Sequence, residues 1–429
     1  MSEFLGLADL SPGATEPPGA VLGEILAGPE TGWLEGECAE PDEWSAGRVL
    51  VVRELRSSMY PLLRSSRAVV CAFGGPAGHM SAVCRAKGIT VIRIPEADLV
   101  RMRGTVRIDR SRGLIDLGSA RGSAPGVPAD DVSRSAPPGS TCAVVAGGEE
   151  IDAVNESGWG STVDRFFVRE EFLCLEAGLS PLDLLAAGPD GQDRYAREMA
   201  AMILGMRSKL QPHQKIVYRL LDLRSDDAAG ITRTAAVGEE ANPELGLHGT
   251  RWIVETPAYV DVVRSVVRRL AEQEPGIHDS LALAGPFVAD CHEFSQLAAA
   301  LGLPERWTVS AFVETPAGVY DVPAICRAGA AEVFIGTKDL VQLFLAADRG
   351  NHRVAGSYNT RHPAVIDALA RAIMACQSLE VPVRVYSFAR DLDHYLSRLP
   401  RPTGYIMDSA ELIARLGSHP GRRAERCLR

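Results

Sequence analysis

Short apolar runs alternate with polar, glycine-rich turns along much of this chain, and the spacing predicts an α/β protein. Val49–Arg53, Ala68–Phe73 and Ile89–Ile94 have the length of buried strands. Between the last two lies Gly74-Gly75-Pro76-Ala77-Gly78-His79-Met80-Ser81, followed by a predicted helix over Ser81–Lys87. Val106–Asp109 and Leu114–Leu117 flank the polar turn Arg110–Gly113, the pattern of a hairpin. Residues 1–45, rich in Pro, Gly and Glu, give only weak signals. This first unit is expected to end near residue 122. Residues 123–140 hold Pro125, Pro128, Pro137 and Pro138 among Asp, Ser and Gly, which reads as a linker.

Residues 141–429 repeat the strand-then-helix order. Apolar runs lie at Cys142–Ala146, Ser161–Val168, Lys215–Leu221, Leu281–Ala284, Thr308–Val313, Glu332–Ile335 and Val381–Tyr386. Helical periodicity separates several of them, over Asp193–Ser208, Tyr259–Glu274 and Gly318–Ala328. This alternation predicts a (β/α)8 barrel, in which chemistry gathers at the C-terminal ends of the strands.

Composition narrows the classes. A chain of 429 residues with 46% hydrophobic and 23% charged residues is expected to form two globular domains. No apolar run approaches the roughly 20 residues of a membrane span, and Met1–Pro18 has no basic segment typical of a signal peptide. Nine scattered cysteines without a CxxC pair fit reduced thiols in a cytoplasm. A net charge of −10 argues against nucleic acid as a partner. Only Lys87, Lys209, Lys215 and Lys338 are lysines among 45 basic residues, so a lysine at a critical place stands out.

Two groups of residues carry candidate chemistry. His79 sits in a glycine-rich strand-to-helix turn, where free backbone N–H groups suit an anion beside the imidazole. In the second half, polar residues cluster at strand ends: Arg169 and Glu171, Arg219 and Asp222, His248 and Arg251 in a glycine-containing loop, Glu314, Lys338 and Asp339, and then Arg349. Glu314 and Asp339 suit a hard divalent cation such as Mg²⁺. The arginines suit a phosphate and a carboxylate, which the guanidinium fork binds in bidentate fashion. Metal, phosphate and carboxylate together describe phosphoenolpyruvate (PEP) or a related small acid.

Phe73–Arg85 resembles the swivelling phosphohistidine domain of the PEP-utilising enzymes, the family of pyruvate phosphate dikinase, PEP synthase and Enzyme I. Val168–Leu173, Tyr218–Asp222, Asn242–Arg251, Val313–Ala317, Phe334–Leu340 and Asp348–Asn351 resemble their barrel domain in order and spacing. The resemblance covers roughly residues 45–400. It implies a small swivelling α/β domain (1–122), a hinge (123–140) and a TIM-type barrel that binds PEP (141–429). It also implies that His79 takes the phosphoryl group, that Glu314 and Asp339 hold Mg²⁺, and that Arg169, Arg219 and Arg349 hold the phosphate. A homodimer is expected by the same analogy.

The departures from the family pattern matter as much. Tyr386 stands where the family has the cysteine that protonates the enolate, and Lys338 replaces an asparagine beside Asp339. His248 replaces an arginine. The Gly-Gly-Asp-Lys stretch reads Arg224-Ser225-Asp226-Asp227, so Asp227 stands for its lysine. Ala77 and Gly78 remove two hydroxyls next to His79. No room is expected for the ATP-binding domain of the dikinase and synthase or for the carrier-docking insertion of Enzyme I. The leading expectation is a PEP-dependent phosphotransferase with PEP or pyruvate as substrate, passing phosphate to an unknown acceptor or working with a separate ATP-binding partner. The alternatives are a Mg²⁺-dependent lyase or aldolase acting through an enolate, and a non-catalytic relative that binds PEP.

Overall fold

The computed structural model describes residues 20–28, 32–74, 79–117, 140–235, 237–238, 240–349 and 354–417, apart from the side chains of 79, 355 and 415–417. The chain divides into two compact units, Met1–Ala129 with Ala347–Asn359, and Asp130–Ala346 with Thr360–Arg429. Of the expected linker, residues 123–139 lie outside the described residues, and Ser140 begins the first barrel strand.

The first unit is built on one sheet of eight strands: β1 (Ala20–Leu22), β2 (Glu24–Ala27), β3 (Trp33–Ala39), β4 (Val49–Glu54), β5 (Ala68–Phe73), β6 (Thr90–Arg93), β7 (Thr105–Asp109) and β8 (Leu114–Asp116). Their order is β1-β8-β7-β3-β4-β5-β6-β2. Strands β3 to β6 run parallel, and β7 and β8 form the expected hairpin with Ile108 opposite Ile115. Asp109 ties its turn by accepting from Ser111 N at 2.9 Å and Ser111 Oγ at 2.6 Å. Val21, Val49, Val51, Val70, Ile92 and Ile108 pack the core. Strands β1–β3 lie in the region of weak sequence signal because they carry mixed faces. In β3, only Cys38 and Ala39 are buried. The helix His79–Ala86 links β5 to β6 and buries Ala82, Val83 and Cys84.

The second unit is a closed barrel of eight parallel strands: β9 (Ser140–Val145), β10 (Val163–Arg169), β11 (Lys215–Arg219), β12 (Leu281–Gly285), β13 (Val309–Val313), β14 (Val333–Ile335), β15 (Val383–Tyr386) and β16 (Gly404–Asp408). Helices alternate with these strands, as a (β/α)8 barrel requires. Phe167, Phe312 and Phe334 form an interior layer, with ring centroids 5.1 Å apart for the first pair and 5.9 Å for Phe312 and Phe334. Toward the strand N-termini, buried Arg384 is held by Glu332 at 2.5 Å and Asp164 at 2.7 Å. Among the described residues, no helix is long and apolar enough to cross a membrane.

Candidate functional site

The C-terminal ends of the barrel strands gather most of the predicted side chains. β10 ends at Arg169 and passes directly into the helix Glu170–Glu176, which places Glu171 in the first turn after the strand. Arg169 Nε and Arg219 Nη2 both donate to Glu171 Oε1, each at 2.7 Å. Arg219 ends β11 and also reaches Asp222 at 3.2 Å and Glu314 at 3.4 Å. One buried guanidinium thus serves three carboxylates, and its Cζ lies 5.4 Å from the ring centroid of Phe312. Burial works against its charge, but Glu171, Asp222 and Glu314 outweigh it and hold Arg219 more firmly protonated than usual.

Asp222 is coupled to His248, whose Nδ1 lies 2.9 Å from Asp222 Oδ1 and whose Nε2 lies 3.3 Å from the Glu244 carbonyl. Acceptors at both ring nitrogens suit an imidazolium. Burial opposes that charge, yet Asp222 raises the His248 pKa above its ordinary value. Burial likewise opposes the Asp222 charge, and Arg219 and His248 hold it well below the usual carboxylate range. The next residue, Gly249, has φ +60, and a Cβ there would stand 2.7 Å from Phe287 Cβ. Glycine therefore lets the His248 ring pack 4.4 Å from Phe287.

Glu314 follows β13. Thr315 then caps the helix Pro316–Arg327 by accepting from Gly318 N at 2.9 Å, with Pro316 in the first turn. This turn holds the Glu314 carboxyl inward. Burial, with Asp339 and Asp222 nearby, pushes its pKa up to about 8 against the pull of Arg219 and Arg169. Asp339, in the first turn of the helix Thr337–Leu345, accepts from Arg224 Nη2 at 2.7 Å. The same nitrogen lies 2.9 Å from Glu244 Oε2, which also accepts from Gln342 at 3.0 Å.

Lys338 points to the other side of this helix start. Its Nζ lies 4.2 Å from the Tyr386 ring centroid and 3.9 Å from Asp408 Oδ2. Tyr386 donates its hydroxyl to the same Asp408 oxygen at 2.5 Å. Behind the arginine cluster, the fully buried Glu170 accepts from Tyr195 and from Tyr259, the latter at 2.5 Å, and Tyr218 bonds it as well.

Among the described residues, no group of three or more His, Cys, Asp or Glu side chains is arranged to hold a metal ion. Glu314 and Asp339 nevertheless supply hard oxygen donors from successive strand ends, which fits an ion that completes its shell with substrate oxygens and water. Gly336 keeps that space open, because a Cβ there would stand 2.5 Å from Glu314 Oε1.

The remaining expected residues are Arg251, Arg349 and His79. Arg251 lies on the outer face of the helix Gly249–Glu255, half exposed, and pairs with Glu293 at 2.5 Å. Arg349 is buried, and its segment groups with the first unit; Gly350 and Asn351 of that motif lie outside the described residues. The turn 75–78 and the His79 side chain lie outside them too, while the His79 backbone begins its helix. Sequence reading missed Asp408, Glu244 and the role of Arg224. Asp408 carried a usable signal, since it ends the apolar run Tyr405-Ile406-Met407 as Glu314 ends its own.

Residues 44–113 match the family model of the PEP-utilising enzyme mobile domain, and residues 183–386 match that of the PEP-utilising enzyme PEP-binding domain. A phosphoenolpyruvate synthase from Pyrococcus furiosus is 25% identical over 362 residues, covering 81% of this chain and 44% of that protein. A phosphoenolpyruvate-protein phosphotransferase from Streptomyces coelicolor is 27% identical over 352 residues, covering 77% of this chain and 58% of that protein. The chain therefore spans about half the length of these relatives. The first match covers the strand that leads into His79 and the second most of the barrel; the chain belongs to the PEP-utilising enzyme family.

Proposed function

We propose that this chain is a PEP-dependent phosphotransferase. The convergence of Arg169 and Arg219 with Glu171, Asp222 and Glu314 at one end of the barrel carries this reading. Two guanidinium groups fixed by carboxylates are preorganised to receive a phosphate without reorganising their surroundings. His248, held by Asp222, adds a third positive group next to them. Glu314 and Asp339 would hold Mg²⁺, which when bound neutralises phosphate charge during transfer.

In the proposed reaction, the bond between the phosphorus and the enol oxygen of PEP breaks as a His79 ring nitrogen bonds to phosphorus. The enolate left behind takes a proton at carbon and becomes pyruvate. Lys338 Nζ and Tyr386 Oη, which share Asp408, are the proposed source of that proton. The small domain carries the phosphoryl group onward.

Incubation with PEP and Mg²⁺ followed by mass spectrometry tests this. An acid-labile phosphoryl adduct is expected, accompanied by pyruvate and lost in His79→Ala. Absence of both adduct and pyruvate would overturn the reading. Cleavage of a carbon–carbon bond that survives His79→Ala would establish a lyase instead.

A further inference from the structure

The barrel end contains a cation of its own where the sequence pattern of the family has a glycine. Arg224 stands at the first position of the stretch that reads Gly-Gly-Asp-Lys in the family. Its guanidinium is largely buried and bonds Asp339 at 2.7 Å and Glu244 at 2.9 Å through one nitrogen, Nη2. Gln342 donates to the same Glu244 oxygen and helps to fix it. Arg224 Nε is buried and has no acceptor among the described residues. The resting arrangement is therefore firm at one atom and unsatisfied at another, a condition that favours re-pairing over permanent locking.

We propose that Arg224 is a built-in counter-cation that competes with the divalent ion for Asp339, so that metal loading requires the guanidinium to release Asp339 while it keeps Glu244. The proposal rests on the reading of Glu314 and Asp339 as the metal pair. A guanidinium cannot share a carboxylate oxygen with a small divalent cation at close range without like-charge repulsion in a buried setting. A glycine at position 224 has no side chain with which to compete. Glu244 offers the displaced arginine a partner within its present reach, so the switch needs only a side-chain rotation. The expected consequence is a barrel that binds its metal weakly by itself.

Mn²⁺ titration of the full chain, followed by the electron paramagnetic resonance signal of the free ion, tests this without any turnover. Arg224→Met is expected to bind Mn²⁺ roughly tenfold more tightly or better, the scale of one close charge pair. Asp339→Asn in that background should abolish the gain. Arg224→Lys, which keeps the charge, should stay near the parent protein. Thermal unfolding with and without Mn²⁺ gives a second readout, in which the metal should stabilise Arg224→Met more than the parent. If Asp339→Asn abolishes binding while Arg224→Met leaves it unchanged, the metal pair stands and the role of Arg224 is overturned. If Mn²⁺ binding is absent from both the parent and Arg224→Met, or ignores both Asp339→Asn and Glu314→Gln, the metal pair itself is wrong and the role of Arg224 falls with it.

Discussion

Tyr386 donates its hydroxyl to Asp408 at 2.5 Å, which commits the residue at the family's cysteine position to a buried carboxylate. The ammonium of Lys338 sits over the same ring and 3.9 Å from the same oxygen. Removing the hydroxyl leaves the buried Asp408 with one donor fewer. Tyr386→Phe should therefore lower stability by about 1–3 kcal/mol, the cost of an unsatisfied buried polar group. Urea unfolding reads this directly. A variant as stable as the parent would mean that the hydroxyl contributes nothing to holding Asp408.

Two glycines shape the site for different reasons, and alanine at each should separate them. Gly336 has an ordinary extended backbone, but a Cβ would press Glu314 Oε1 at 2.5 Å and Glu314 Cγ at 2.7 Å. Gly336→Ala is expected to displace the Glu314 carboxylate. It should lower PEP-dependent phosphorylation at least tenfold, with a stability loss of about 1–3 kcal/mol from overpacking. Gly249 has φ +60 and close contact with Phe287, so Gly249→Ala meets both backbone strain and a clash. Its loss of stability in urea unfolding should exceed that of Gly336→Ala. Equal losses would remove the distinction.

The strand ends were legible because each is an apolar run closed by a charged residue. Glu314 after Val313 and Arg219 after Tyr218 could be placed from alternation alone. Arg251 shows where that method stops. Thr250 and Ile253 are buried on its helix while Arg251 turns out to solvent, a distinction that requires the helix phase to be known. The contact between Arg224 and Asp339 spans 115 positions and depends on the loop path after β11, so neither composition nor periodicity contains it. β1–β3 were hidden for another reason. They are short or mixed in polarity, and their partners β6, β7 and β8 come much later in the chain.

The N-terminal end of the barrel should govern stability without touching the chemistry at the other end. Arg384 is buried there between Glu332 and Asp164, and it is charged more firmly than an ordinary arginine: burial opposes that charge, while Glu332 outweighs it. Arg384→Met takes away the buried cation between two carboxylates and leaves them to Arg165, which lies 3.1 Å from Asp164 and 3.7 Å from Glu332. The expected cost is about 3–5 kcal/mol, typical of breaking a buried ion pair from one side. Urea unfolding measures it, and Mn²⁺ binding at low temperature should be unchanged. A loss of less than about 1 kcal/mol would place the pair in the class of exposed ion pairs.

Glu170 provides a pH signature that belongs to one residue. Burial raises its pKa from 4.5 to about 7, although Tyr195, Tyr259 and Tyr218 donate to it and oppose that rise. Between those values the folded protein keeps a proton that the unfolded chain releases. Stability from this group is therefore complete below pH 4.5 and is lost as pH rises through 7. A tenfold change in proton affinity is worth about 1.4 kcal/mol, so the full effect is on the order of a few kcal/mol. Glu170→Gln keeps an acceptor for the tyrosines but has no proton to lose. The difference in unfolding free energy between the parent and Glu170→Gln should therefore shift against the parent from pH 5 to pH 8. A constant difference across that range would show that Glu170 is ionised throughout and that its tyrosines outweigh its burial.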